Sequence, residues 1–212
     1  MATLDTAILT DIQYVLLEPV DGGATFPSGL WTPDEVLDRL NERQDRFLKA
    51  SRILVGIATL PAQAGVHQFA LPSDWLSTLS VVWEGNDGLI KELPRSDSFE
   101  ADHGLPSWTM TRGTPQLYMD EDSPLLTIQI APAPQVSGRL QILYIPQGVT
   151  LTGTGELLTV PDEFSESVAK YGTLADLFGK DGRGKNPEKA AYCEQRYALA
   201  QQVAGIILDG WV

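Results

Sequence analysis

The amino-acid sequence predicts an α+β protein: a helical bundle, made of N-terminal helices and a C-terminal antiparallel helical hairpin, with an inserted antiparallel β module. Three observations predict it. Apolar residues recur at helical spacing near both ends of the chain, the pattern changes to alternation from about Gly65, and helical spacing returns after Val160. Helices on either side of a run of short strands describe an insertion, not an alternating α/β layout. The corresponding division is 1–62 for an N-terminal helical part, 63–160 for the β module and 161–212 for the hairpin. The hairpin is expected to pack with 1–62 as one helical domain.

The hairpin carries the clearest pattern. Phe164, Val168, Tyr171, Ala175 and Phe178 follow one another at alternating spacings of four and three, which places them on one helical stripe. The basic, glycine-bearing turn 180–185 breaks the pattern, and Asn186-Pro187-Glu188 restarts it. Asn suits an N-cap, Pro the first helical position, and an early Glu the positive end of the helix dipole. Ala190, Cys193, Tyr197, Ala200, Ala204 and Ile207 form the second stripe, with small residues opposite the aromatics of the first. Large side chains facing small ones let two helices approach closely.

Towards the N-terminus, Leu4, Ile8, Asp11, Ile12, Val15 and Leu16 fit a short amphipathic helix ending near Pro19, and 21–29 is a loop. Thr32 and Glu35 then have capping-box spacing, with Pro33 in the first turn. Val36, Leu37, Leu40, Phe47 and Leu48 carry the apolar face of a helix running to about Ser51. Asp38, Arg39, Glu42, Arg43, Asp45 and Arg46 read as its solvated side.

In the β module, 66–69 alternates, 71–75 reads as a turn and 79–83 is rich in β-formers. Glu84-Gly85-Asn86-Asp87-Gly88 is a hairpin turn into 89–93. A single helical turn is expected over 96–102, and further strands over 116–119, 125–130 and 139–145.

The chain has 212 residues, enough for one large domain or a domain with an insertion. Its net charge of −13 argues against tight, non-specific nucleic-acid binding, which needs cations to neutralise phosphates. The same charge suits a surface that nucleic acid passes without sticking. The single Cys193 forms no intramolecular disulfide and sits on the helical stripe as a small hydrophobe. The N-terminal segment lacks a basic region, and no run approaches the ~20 apolar residues of a membrane span, so a soluble, intracellular product is expected.

No catalytic, cofactor-binding or metal-binding residue is predicted. His67 and His103 lack a carboxylate or Cys at ligand spacing, and Asp120-Glu121-Asp122 lacks the alternating oxygens and glycine of a calcium loop. Gly179-Lys180 is followed by no Ser or Thr, unlike a phosphate loop. Acidic pairs such as Glu163 and Glu166 are what a solvated helix face carries. Trp75, Trp83 and Trp108 lie in or beside strands and are explained as β-module core. A competing reading makes them sugar platforms of a carbohydrate-binding or glycoside-hydrolysing module. Trp211, near a commonly polar and mobile chain end, either folds back on the hairpin or anchors in a partner.

Four segments together resemble the head-to-tail adaptor (connector) proteins of tailed bacteriophages, including the tail tubular A type of short-tailed phages. They are Trp31-Thr32-Pro33-Asp34-Glu35-Val36-Leu37 with Leu40-Asn41-Glu42-Arg43-Gln44; Gln68-Phe69-Ala70-Leu71-Pro72-Ser73-Asp74; Gly113-Thr114-Pro115-Gln116-Leu117-Tyr118 with the strands after it; and Leu158-Thr159-Val160-Pro161-Asp162-Glu163-Phe164 with the hairpin. The resemblance runs from about Trp31 to the end in the family's order, with the N-terminal thirty residues and Trp211 outside its pattern. It implies a homo-oligomeric ring, usually a dodecamer, in the virion neck between capsid and tail. Such a ring docks under the portal protein, extends the DNA channel without binding DNA specifically, and offers a platform to the tail nozzle, tail tube or other neck proteins. A different neck or tail-completion protein of a phage is the neighbouring alternative. Under this resemblance, Ile207, Leu208, Trp211 and Val212 are the candidates for docking into the portal. Lys180, Arg183 and Lys185 in the basic turn are the candidates for contact with an acidic partner. No cofactor and no membrane are implied.

Overall fold

The computed structural model describes residues 3–105, 107–120 and 126–209, the side chains of 208 and 209 excepted. The chain divides into two compact units, Met1–Ile53 with Gln147–Val212, and Leu54–Pro146 between them. The fold is α+β with an inserted, largely antiparallel β module.

The first unit is helical. Helix α1 spans Asp5–Leu16, and α2 spans Pro33–Ser51. Thr32 caps α2 by accepting the Glu35 N–H at 3.2 Å, with Pro33 at the first helical position, as its sequence predicts. The hairpin's first arm is one helical run in three parts: α4, Asp162–Ser165; a π-helical segment, Glu166–Tyr171; and α5, Gly172–Gly179, with α3 reserved for the other unit. Its second arm is α6, Pro187–Asp209, where Asn186 accepts the Lys189 N–H at 3.0 Å. The arms are antiparallel: Phe178 meets Lys189, Tyr171 meets Tyr192, and Phe164 and Val168 share a core cluster with Ala200 and Ala204. Both stripes face inward except at the end of the second, where Ile207 is 45% exposed.

One residue of α2 departs from its sequence reading. Arg43, placed on the solvated side of α2 by the charges around it, is buried with Val36, Leu40, Gln44, Phe47 and Leu48.

In the second unit a four-stranded antiparallel sheet has the order β1-β9-β3-β4, formed by Gly56–Ala62, Gly138–Pro146, Trp75–Gly85 and Ile90–Leu93. A three-stranded sheet orders β2, Gln68–Ala70, β7, Thr127–Ala131, and β6, Leu117–Met119. A short parallel bridge joins β5, Arg112–Gly113, to β8, Ala133–Pro134, and α3 spans Ser98–Gly104. Val81, Trp83, Leu140 and Ile142 of the larger sheet pack with Phe69, Tyr118, Ile128 and Ile130 of the smaller. The turn after β3 closes by the Gly85 N–H donating to the Leu89 carbonyl, with Gly88 at φ +84°, the left-handed region that glycine enters freely.

The strand pattern begins earlier than the sequence reading placed it. β1 lies inside the stretch 1–62 read as helical; it is an edge strand, where the N–H that Pro61 lacks is not needed. The segment 147–160, read with the β module, belongs to the helical unit. Polar side chains of α2 hold it. Asn41 bonds both the N–H and the carbonyl of Leu151 (2.8 and 3.0 Å), and Asp45 accepts the Gly148 N–H at 2.9 Å. Gln44 donates to the Val149 carbonyl at 3.0 Å and accepts the Thr159 N–H at 2.9 Å.

Truncating Gln44, which is 1% exposed, strands two backbone groups at once. Gln44→Ala is expected to cost about 1–3 kcal/mol, read as a fall in the urea midpoint at unchanged slope.

Candidate interaction surfaces

The helical unit is organised by Arg43. Its Nε and Nη2 donate to the two carboxylate oxygens of Asp176 at 2.7 and 2.5 Å, and Nη1 reaches Glu194 Oε2 at 2.8 Å. The guanidinium lies 4.7 Å from the centre of the Tyr197 ring, and the Tyr197 hydroxyl donates to the Arg43 carbonyl at 3.2 Å. One side chain thus joins α2 to α5 and α6. Burial works against the charge on Arg43, and the carboxylates of Asp176 and Glu194 outweigh it and hold the proton more firmly than usual. Burial pushes the Tyr197 phenol up to about 12, against the pull of the Arg43 charge. Gly172 permits the approach: a Cβ there would lie 2.9 Å from the Tyr197 ring and 3.1 Å from Arg43 Cγ.

A second polar cluster pins the start of α1. Asp5 is fully buried and accepts N–H groups from Thr6, Gly153 and Gly155 at 2.6, 2.8 and 3.1 Å. Burial, with the Glu156 carboxyl beside it, raises Asp5 above the ordinary carboxylate range. Glu156 is held well below that range by Asp5 and by the hydroxyls of Thr152 and Thr154. The loop therefore wraps two acids, Asp5 and Glu156, that lie far apart in the chain.

With the framework in place, the outward side of α6 carries a set of exposed apolar residues among polar ones such as Gln195, Arg196 and Gln202. Tyr192, Leu199, Val203, Ile206 and Ile207 are exposed on the flank beside the buried row Cys193, Tyr197, Ala200 and Ala204. Ile206 is 70% exposed. Helices apolar on more than one face are normally covered on more than one side. Of the predicted docking residues, Ile207 lies on this face. The side chain of Leu208, and Trp211 and Val212 altogether, lie outside the described residues. Burial raises the Cys193 thiol above its ordinary value, so it is a core group and not a reactive one.

The basic turn is less available than its sequence suggests. Lys180 pairs with Glu35 at 2.7 Å and Lys185 with Asp181 at 2.6 Å. Arg183 is exposed and has no ion-pair partner among the described residues. All three cations predicted to meet a partner are exposed, and Arg183 is the one without an ion pair among the described residues. The tryptophans are not laid open as sugar platforms. Trp83 and Trp108 are buried, with the Trp108 N–H donating to Asp102 at 2.8 Å, and Trp75 is half-buried, donating to Thr78 at 3.0 Å. Among the described residues, no group of three or more His, Cys, Asp or Glu could hold a metal ion, and no helix is long and apolar enough to cross a membrane.

Fold and surfaces describe an α+β protein whose helical unit displays unpartnered apolar faces. A family model described as SU10 adaptor protein matches residues 3–207, nearly the whole chain, and the chain belongs to that family of phage adaptor proteins. No curated protein matches it.

Two outcomes test the clamp. Arg43→Ala, which strands the Asp176 carboxylate, is expected to cost about 3–5 kcal/mol in chemical denaturation, and Arg43→Lys is expected to recover little because it lacks the planar fork. Tyr197 binds its proton more tightly folded than unfolded, so its contribution is intact below pH 10 and is lost as pH rises from 10 towards about 12. Stability measured across that range should fall less steeply in Tyr197→Phe.

Proposed function

We propose that the chain is a structural virion protein: a head-to-tail adaptor that forms a ring, a dodecamer, under the portal protein in the virion neck. It extends the DNA channel and carries the tail nozzle, tail tube or other neck proteins on its far side. Its role is assembly and not catalysis. The observation that carries the reading is the family match over residues 3–207, and the exposed apolar flank of α6 supports it, because such a face suits burial between proteins. The net charge of −13, repeated around a ring, lines a channel that repels DNA and lets it slide during packaging and ejection. Within this reading the chain is of the tail tubular A type. Ile207 and Leu208 of α6, with Trp211 and Val212 further along the sequence, dock into the portal, and the exposed Arg183 meets an acidic neighbour.

The portal assignment is tested with Ile206→Glu and with a deletion of residues 207–212, each measured for binding to the cognate portal. Ile206 is exposed, so Ile206→Glu should change stability by no more than about 0.5 kcal/mol. Both variants are expected to bind the portal at least about tenfold more weakly, the effect of losing about 1.4 kcal/mol of contact. Undiminished binding by both removes the docking assignment.

A further inference from the structure

The C-terminal end of α1 is built in a way its own fold does not explain. Leu17, the C-cap, has φ +61°, a left-handed conformation that disfavours a side chain and is ordinarily given to glycine. Its side chain finds no cover in return, because Leu17 is 92% exposed. Tyr14 at 75% and Val20 at 55% are exposed beside it in sequence. These three form a knob, and the knob is held firmly. The Gln13 side chain donates to Asp21 (2.5 Å) and to the Thr25 carbonyl (2.9 Å) and accepts the Gly23 N–H (2.9 Å), while the Glu18 carboxylate accepts the Ser28 hydroxyl. A strained, exposed and preorganised leucine is costly in water and useful in a contact.

The same helical unit holds a groove of about 290 Å³ lined by Val15, Tyr171, Leu174, Phe178, Tyr192 and Cys193, with Lys170 and Lys189 at its edge. Lys170 is engaged by Asp11 and Glu166. Lys189 lies 5.0 Å above the Phe178 ring, and Arg196 lies 5.4 Å from the Tyr192 ring, so exposed cations border an apolar slot. The knob carries the opposite sign, because the exposed Asp21 follows Val20 and the hydroxyl of Thr25 and the amide of Gln13 hold its carboxyl down at about 2. On α1, Val15 lines the groove while Tyr14 and Leu17 lie outside it. A chain therefore leaves its own groove open and its own knob bare.

We propose that the occupant of the groove is a second copy of this chain, with the Tyr14–Leu17–Val20 knob of one copy seated in the groove of the next and Asp21 meeting Lys189 and Arg196 at its border. Unlike patches on one body make a head-to-tail contact, which closes into a ring when the rotation between neighbours allows. The inference rests on the ring reading of the chain and names the surfaces that would make the ring.

The test uses the full chain mixed with its cognate portal. Leu17→Cys and Tyr192→Cys variants, each in a Cys193→Ala background, are oxidised singly, as a mixture and as a double variant. Heterodimers in the mixture, none from either variant alone, and a ladder from the double variant are the expected result. Leu17→Gly supplies a second readout. It relieves the left-handed strain and removes the knob, so its unfolding temperature should rise while self-association falls at least tenfold. Absence of heterodimers, homodimers from Leu17→Cys alone, or undiminished association of Leu17→Gly overturns the proposal. Electron micrographs of the same mixtures separate the two claims. Rings without the cross-link discard this pair of surfaces and leave the adaptor reading standing, whereas absence of rings as well discards both.

Discussion

A buried guanidinium must be matched on every side, and in the helical unit Arg43 is matched by groups from two other helices. Asp176 on α5 takes the planar fork, Glu194 on α6 takes the remaining amino group, and Tyr197 covers the face. This geometry tolerates little sliding, because a bidentate pair weakens quickly when either partner shifts. It therefore fixes the rotation of α6 about its axis. Once Cys193, Tyr197, Ala200 and Ala204 are turned inward, Leu199, Val203 and Ile206 have nowhere to go but outward. The apolar outer flank follows from the clamp on the inner one.

Helix α2 also anchors the chain where it returns from the inserted module. Asn41, Gln44 and Asp45 bond the backbone between Gly148 and Thr159. Most of the Leu40-Asn41-Glu42-Arg43-Gln44 stretch, which resembles the adaptor family, thus has an architectural task. Leu40 is core, Asn41 and Gln44 bind the returning segment, and Arg43 binds the hairpin. A short polar motif inside an amphipathic helix can hold two chain segments more than a hundred residues further on.

Features set by neighbouring residues are legible in the sequence, and those set by distant partners are not. The caps at Thr32 and Asn186 and the Gly85–Gly88 turn are legible because a few neighbouring residues determine them. Arg43 sits among Asp38, Arg39, Glu42, Asp45 and Arg46, so it looks solvated; its partners lie on helices the local pattern cannot see. β1 accommodates Pro61, since a proline is excluded from central strands but not from an edge. The π-helical segment Glu166–Tyr171 has no spacing signal of its own. Among candidate contact residues, Ile207 was legible as the apolar end of a helix. Tyr14 and Leu17 were not, because an apolar residue beside a helix end is ordinarily taken for core. Lys180 and Lys185 were legible as cations but not as members of local ion pairs.

Under the proposed function, a chain of this family, clamped at Arg43, is a preassembled helical body that becomes a ring on its portal. Electron microscopy of the purified chain mixed with cognate portal tests it most directly, with class averages viewed along the portal axis. A closed ring of extra density under the portal, with one helical unit per subunit, is the expected result. Bare portals beside dispersed monomers, at concentrations well above those of the assembled virion components, would contradict it.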